Sequence, residues 1–138
     1  MVQPDNKVIV AFKTAYRHDG TGLHHFKDAE ANEEYLYTQH EAFNCHRSFP
    51  CFDQPDMRGV LSLVTFAPEG WVSICNGLPL KSVNKEDAGF AAAIAEVVHG
   101  SDFAATYDDN CVATFFKDTP RITPYLFAFC VGPYVELK

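Results

Sequence analysis

Apolar and polar residues alternate with a period of two along much of the chain, which is the pattern of strands. In residues 8–16, for example, Val8, Val10 and Phe12 fall on one face. Residues 60–66 are apolar on both faces, so we expect a central strand there, with residues 71–75 as the returning strand. Further strands are predicted at residues 23–26, 34–39, 78–83, 111–116 and 125–131.

One segment departs from this pattern and predicts a helix over about residues 85–99. Polar residues at 82 and 84 can cap its start, and the stretch that follows is rich in alanine. Phe90, Ile94 and the valines at 97 and 98 fall on one stripe, and Gly100 is a stop signal. The predicted fold class is therefore mainly β, with antiparallel or mixed sheets and one inserted helix.

The size and composition of the chain fit one globular domain. The 138 residues are taken as a single domain, 1–138, long enough to bury about two-thirds of the unfolded surface. Apolar residues make up 47% and charged residues 21%, which excludes wholesale disorder. The 12 phenylalanines and 6 tyrosines favour pleated sheet.

The net charge of −7 argues against nucleic acid or an anionic membrane surface as the main partner. No apolar run reaches the roughly 20 residues of a membrane span, and the first residues do not resemble a signal peptide. The 5 cysteines are an odd number without scaffold-like spacing, which favours reduced thiols in an intracellular protein. We therefore expect a cytoplasmic location, with no nucleic-acid partner and no membrane.

Several histidines and cysteines between residues 40 and 51 suggest a metal site, but their spacing argues against one. His40 and Glu41 look like the start of a His-Glu-x-x-His zinc helix, yet position 44 is Asn. Cys45, His46 and Cys51 lack the two closely spaced ligand pairs typical of structural zinc sites. Buried free thiols are the favoured interpretation, and nothing places a histidine beside a cysteine nucleophile.

Two other histidine-containing pairs are discounted as metal sites. His24 and His25 are adjacent, and adjacent residues on a regular strand point to opposite faces. Glu96 and His99 lie one helical turn apart, but a single such pair is more typical of an exposed helix end than of a di-iron site.

Gln39 and Glu41 form a different kind of candidate at the end of the strand predicted at 34–39. Residues two apart on an extended chain share a face, so an amide and a carboxylate would project together. A carboxylate suits a ligand ammonium group. From the spacing alone, however, a carboxylate such as Glu41 is more often a solvated surface residue than a ligand-binding group.

Four blocks of the sequence resemble the N-terminal domain of zinc aminopeptidases of the aminopeptidase N type, the puromycin-sensitive enzymes included. They are residues 35–42 with 49–56, residues 20–24, residues 67–77 and residues 124–134, in the family order. The resemblance implies a saddle-like β-sandwich that matches about the C-terminal two-thirds of the family's N-terminal domain. Many members carry Arg at position 46, where this chain has His46, with Arg47 next.

The resemblance also implies a role for the candidate pair. In the family, a Gln-x-Glu segment of this domain helps to hold the free α-amine and the first side chain of the substrate. Carried over by position, Glu41 becomes the amine anchor, Gln39 lines the first-residue pocket, and the N-terminus of a peptide becomes the expected ligand. This chain would then be a non-catalytic, substrate-anchoring part of a zinc aminopeptidase.

The catalytic groups of that family have no counterpart in this sequence. We therefore expect no cofactor in this chain, with zinc only in a following catalytic domain, and no activity from the chain alone. The family's opening strands also lack a counterpart before residue 8, so a catalytic domain or protein partner is expected to cover the incomplete sheet. The alternative is a stand-alone structural or interaction module with no peptidase activity.

Overall fold

The computed structural model of the protein describes residues 5–98 and 110–137. Within these residues the chain forms seven strands in two antiparallel sheets, one α-helix and two short 3-10 helices, so the mainly β prediction is confirmed. The 3-10 helices are Cys45–Arg47 and Pro124–Leu126. In chain order the other elements are β1 Gly22–Lys27, β2 Glu34–Gln39, β3 Val64–Pro68, β4 Val72–Cys75, β5 Pro79–Asn84, α1 Phe90–Val98, β6 Cys111–Phe116 and β7 Phe129–Gly132.

The larger sheet has four strands in the order β1-β2-β7-β4. β1 and β2 pair along their whole length, from Gly22 opposite Gln39 to Lys27 opposite Glu34. β7 lies between β2 and β4, so the last described strand in the chain is a central strand of the sheet. Because β2 is paired on both sides, its end at Gln39 is a rigid starting point for the turn that follows.

The smaller sheet has the order β3-β6-β5, and helix α1 supplies its core. Phe90 and Ile94, one helical turn apart, are buried together with Cys111 and Ala113 of β6. Partly buried apolar side chains of all three strands pack against this cluster, namely Phe66, Val83 and Phe115. The predicted apolar stripe is therefore confirmed for Phe90 and Ile94.

The helix is shorter at its start than the predicted range of about 85–99. Residues 85–89 form turns, because the Asp87 side chain accepts a hydrogen bond from the Asn84 backbone N–H (2.8 Å) and the Asp87 carbonyl accepts one from Phe90 (2.9 Å). Asn84 itself ends β5 rather than capping the helix. The predicted stop at Gly100, His99, and the side chains of residues 96–98 lie outside the described part of the chain.

The strand prediction is confirmed to the residue for β2 and for β6, and it is wrong for residues 8–16. In that segment Val8, Val10 and Phe12 are 81%, 52% and 47% exposed, and no described strand pairs with it. Alternation makes a segment suitable for a half-buried strand, but a strand also needs a neighbouring edge to hydrogen-bond with. Among the described residues this segment forms no such pairing, and only Arg17, just after it, makes an isolated parallel bridge, to His24 at the outer edge of β1.

The expectation of a central strand at residues 60–66 is also wrong. β3 begins only at Val64 and lies at an edge, while β6 is central because it buries Cys111, Ala113 and Phe116. The predicted returning strand, β4, pairs with β7 in the other sheet. The segment predicted at 125–131 begins instead with the 3-10 helix Pro124–Leu126, and its strand, β7, starts only at Phe129.

The predicted turn at Asn76 and Gly77 lies between β4 of the larger sheet and β5 of the smaller sheet. Hydrogen bonds of the Asn76 side chain join this turn to the segment before β7. Asn76 donates a side-chain hydrogen bond to the Leu126 carbonyl (3.1 Å) and accepts one from the Ala128 N–H (2.6 Å). A Cβ at Gly77 would lie 2.0 Å from the Lys117 carbonyl oxygen, so only glycine fits there. No helix in the described ranges is long and apolar enough to cross a membrane.

Candidate functional site

The end of β2 presents three consecutive residues in alternating orientation. Gln39 and Glu41 are exposed, whereas His40 between them is only 2% exposed. Gln39 is the last paired residue of β2, and Glu41 is the first residue of the turn that follows. The amide and the carboxylate that the sequence singled out therefore both lie at the surface, on either side of a buried imidazole.

His40 is fixed by hydrogen bonds from both ring nitrogens. Nδ1 lies 2.8 Å from the Phe127 carbonyl oxygen, which can only accept, so Nδ1 carries the proton. Nε2 then accepts the hydroxyl hydrogen of Ser48, at 2.8 Å. The ring of Phe49 packs edge-on, 6.1 Å away. His40 thereby joins the end of β2 to the turn after it and to the segment before β7.

Burial lowers the pKa of His40, because a charged imidazolium is poorly solvated at this position. The hydrogen bond to Phe127 and the negative charge of Asp53 act in the opposite direction but do not reverse the shift. The neutral ring matches the hydrogen-bond pattern, in which Nε2 must be an acceptor. The sequence suggested His40 as a metal ligand, but both of its nitrogens have protein partners.

The turn after β2 closes on itself through short-range hydrogen bonds. The Asn44 backbone N–H donates to the His40 carbonyl (2.7 Å), and the Asn44 side chain donates to the Glu41 carbonyl (2.9 Å). The N–H groups of Ser48 and Phe49 both donate to the Cys45 carbonyl. The backbone that carries Glu41 is therefore held from within the turn, which leaves the Glu41 side chain to face solvent.

Asp53 stabilises the C-terminal half of this turn through contacts with His46. Its Oδ2 accepts hydrogen bonds from the backbone N–H of His46 (3.0 Å) and from Nδ1 of the His46 ring (2.8 Å). The Asp53 side chain is only 9% exposed. Burial would raise the pKa of Asp53, but the hydrogen bonds from His46 outweigh it and hold the pKa below its usual value. No local sequence pattern indicates this role of Asp53.

Arg47 connects the turn to the loop before β1. Its guanidinium donates to the Thr21 hydroxyl (3.1 Å) and lies 3.8 Å from Asp19, while its carbonyl accepts a hydrogen bond from Thr14 (3.1 Å). Asp19 also pairs with Arg17, and this hydrogen bond together with those from Thr21 lowers the pKa of Asp19. The neighbouring residues His46 and Arg47 thus have separate contacts, His46 with Asp53 and Arg47 with the loop before β1.

The histidine pair of β1 has partners of its own. His24 accepts a hydrogen bond from the Gly20 N–H (3.0 Å), and its ring packs against Tyr37. His25 lies 3.2 Å from the Glu34 carboxylate, and its ring stacks on Tyr16. Both contacts stabilise the start of the larger sheet.

The fold brings two of the candidate cysteines together. The thiol groups of Cys45 and Cys51 and the carboxylate of Asp53 all lie within 4.8 Å of one another. Both cysteines are free thiols, Cys45 buried and Cys51 half-buried, and burial raises the pKa of each. Spacing rules do not identify this group, because five residues separate Cys45 from Cys51 and the third member, Asp53, is not part of any zinc-motif pattern.

Two open clefts flank the turn, and neither is lined by Gln39 or Glu41. An apolar cleft of about 330 Å³ has Phe49, Cys51, Phe52, Met57, Leu61, Ile122 and Pro124 among its lining residues. A second cleft of about 300 Å³ lies over β2, β4 and β7. Gln39 and Glu41 themselves are exposed at the surface, outside both of these clefts.

Comparison with known proteins places this chain beside peptidase domains. Residues 3–95 match the family model of the peptidase M1 N-terminal domain. The chain is 32% identical over 129 residues to aminopeptidase N of Streptomyces lividans, covering 94% of this chain and 12% of that protein. It is 24% identical to aminopeptidase N of Mus musculus, covering 82% and 10%, and 30% identical to that of Homo sapiens, covering 72% and 8%. The chain spans about a tenth of the length of these curated relatives.

Proposed function

Because the chain belongs to the family of peptidase M1 N-terminal domains, we propose that it is the substrate-anchoring portion of a zinc aminopeptidase. In this proposal Glu41 binds the free α-amine at the N-terminus of a peptide, and Gln39 contacts the first residue. The observation that carries it is the geometry at the end of β2. Both polar side chains are exposed there, on either side of the buried and doubly hydrogen-bonded His40.

The chemistry of the pair suits an ammonium ligand. A carboxylate accepts charge-assisted hydrogen bonds from an amine, and such a bond contributes about 1.5–3 kcal/mol. The Gln39 amide can both donate and accept, so it can bind the carbonyl oxygen or the amide hydrogen of the first peptide unit. A site that requires a charged amine rejects peptides whose N-terminus is blocked, because Glu41 would then be left without its partner.

Hydrolysis is assigned to a further domain in this proposal. The sequence contains no His-Glu-x-x-His motif, so its residues do not fit the zinc site of the parent enzymes. What this chain would supply is binding and orientation of the peptide N-terminus. We accordingly expect the isolated 138-residue chain to show no aminopeptidase turnover, with or without added zinc. Turnover proportional to protein concentration would contradict this assignment.

The expected catalytic or other protein partner remains part of the proposal. Exposed apolar side chains on and beside the edge strands β4 and β5 support it, because such edges are usually covered. They include Ile74 (49% exposed), Leu78 (73%), Leu80 (66%) and Leu126 (51%). The same surface suits a stand-alone interaction module. A cytoplasmic location also stays a prediction, based on the free thiols.

The amine-binding role is tested by nuclear magnetic resonance titration of the ¹⁵N-labelled chain. The probes are leucine amide, which has a free amine, and N-acetyl-leucine amide, which does not. We expect saturable shifts at residues 39–42 with the first probe only, and their loss in Glu41→Gln. Glu69→Gln, which removes an exposed carboxylate from the turn between β3 and β4, is the control and should bind as the parent does. Equal shifts with the blocked probe, or unchanged binding in Glu41→Gln, would refute the role.

A further inference from the structure

The buried end of the turn after β2 contains a group of side chains that the amine-anchoring proposal does not use. Cys45 begins the 3-10 helix Cys45–Arg47, and Cys51 and Asp53 lie on the extended segment after it. Their sulfur and oxygen atoms are all within 4.8 Å of one another. Two thiols and a carboxylate thus converge on one point, with Cys45 fully buried and Cys51 half-buried.

The spacing of these atoms is close to that of a tetrahedral metal site. Zinc–sulfur bonds of about 2.3 Å and zinc–oxygen bonds of about 2.0–2.2 Å place neighbouring ligand atoms roughly 3.5–3.8 Å apart. The observed separations of at most 4.8 Å therefore require a contraction of at most about 1.3 Å. Cys51 can supply it by a side-chain rotation, since it is only half-buried.

The Asp53 carboxylate is already oriented by hydrogen bonds from His46, a residue outside the group of three. Asp53 accepts two hydrogen bonds from His46, one from the backbone and one from the ring. Carboxylates that bind metals are usually held by such hydrogen bonds, which fix their orientation. The backbone of Cys45 is also held in place, because its carbonyl accepts hydrogen bonds from the N–H groups of Ser48 and Phe49. Two of the three ligands are thus in place before any metal arrives, and the third is adjustable.

We propose that Cys45, Cys51 and Asp53 form a binding site for a thiophilic divalent cation of the zinc class. Two sulfur ligands favour zinc over magnesium or calcium, which prefer oxygen. On binding, each thiol loses its proton to solvent as its sulfur–metal bond forms, and the carboxylate binds in its ionised form, so two protons are released per cation. The fourth position is left to water.

This site extends the amine-anchoring role without depending on it. The cation would link Cys45 to the segment of Cys51 and Asp53, and so hold the turn whose first residue is Glu41. It also revises the expectation of free thiols, which depended on sequence spacing alone. Metal uptake is measured without any peptide, so its outcome is separate from that of the amine titration.

The site is tested on the reduced, metal-free 138-residue chain. Titration with Co²⁺ should give thiolate-to-cobalt absorption that saturates at one equivalent, and zinc should displace it. Affinity should rise with pH, since two protons are released. Cys51→Ser should abolish the absorption, and His46→Ala should weaken binding about 10- to 100-fold by removing the contact to Asp53. Cys130→Ser, another half-buried thiol outside the group, is the matched control and should bind normally.

Two results would overturn the proposal. One is the lack of a saturable one-equivalent signal in the reduced chain, and the other is undiminished signal in Cys51→Ser. Circular dichroism monitors whether each variant is folded. If Cys51→Ser does not fold, Asp53→Asn decides instead, because it retains both thiols and the size of the side chain. Full-strength binding in folded Asp53→Asn would equally refute the three-ligand site.

Discussion

Helix α1 is held against the three-stranded sheet by apolar side chains, whereas the turn after β2 is held in place by polar groups. Phe90 and Ile94 bury their surface against Cys111 and Ala113 of β6. His40, in contrast, hydrogen-bonds the Phe127 carbonyl and the Ser48 hydroxyl from a position that is 2% exposed. Different kinds of interaction therefore keep the two regions in place.

The difference shows what each arrangement can control. Apolar burial is non-directional, so it stabilises the helix without fixing the direction of any exposed side chain. Hydrogen bonds have defined angles and depend on which atoms carry protons. The polar arrangement therefore fixes the orientation of the chain at residues 39–41, where the candidate amine-binding groups are, and it makes that region sensitive to pH.

The largest effect is expected from Phe90→Ala. It removes a 6%-exposed aromatic ring from the helix–sheet core, and such truncations cost about 3–5 kcal/mol of unfolding free energy. Because no titratable group is removed, the loss should be the same at about pH 7.5 and about pH 5.5 in urea unfolding. Leu80→Ala, at a 66%-exposed position of β5, is the control and should change stability by less than about 0.5 kcal/mol. An equally small loss in Phe90→Ala would mean that α1 does not anchor this sheet.

A smaller, pH-dependent effect is expected from His40→Asn. The Asn amide can still donate to the Phe127 carbonyl, but it loses the contact with Ser48 and leaves a small void. We expect a loss of about 1–3 kcal/mol at about pH 7.5, measured by the same urea unfolding.

The pH dependence follows from the lowered pKa of His40. Below about pH 6.5 the unfolded chain gains a proton that the folded chain does not, so the parent loses stability as the pH falls toward the folded pKa. Asp53 remains ionised in this range because its own pKa is lowered. The deficit of His40→Asn relative to the parent should therefore shrink at about pH 5.5. A deficit that is constant with pH would contradict a neutral, buried His40.

The sequence pattern predicted the parts of the fold that depend on local periodicity. β2 and β6 were placed to the residue, and the buried helix positions Phe90 and Ile94 were identified. Periodicity could not show which strands find a partner. Residues 8–16 alternate correctly yet stay unpaired among the described residues, and residues 60–66 yield an edge strand because β6 occupies the centre.

The candidate site was predictable only where a single strand carries it. Gln39 ends β2 and Glu41 begins the turn after it, and both are exposed with a buried residue between them, as alternation along one strand predicts. The partners of His40 lie 8 and 87 residues away in sequence, so no local pattern reveals them. The meeting of Cys45, Cys51 and Asp53 likewise depends on how the turn folds back, which motif spacing does not describe.

The smallest effect on stability is expected at the two positions beside His40. Gln39→Ala and Glu41→Ala remove exposed side chains, so each should change the unfolding free energy by less than about 0.5 kcal/mol, measured by urea unfolding beside His40→Asn. If either variant instead loses more than about 1 kcal/mol, its side chain has a structural role. Small changes here, with a larger one at position 40, would separate the residue that holds the turn from the two that are proposed to bind an amine. Exposed polar groups that cost nothing to remove, on a backbone that is costly to disturb, are what an amine-binding surface requires.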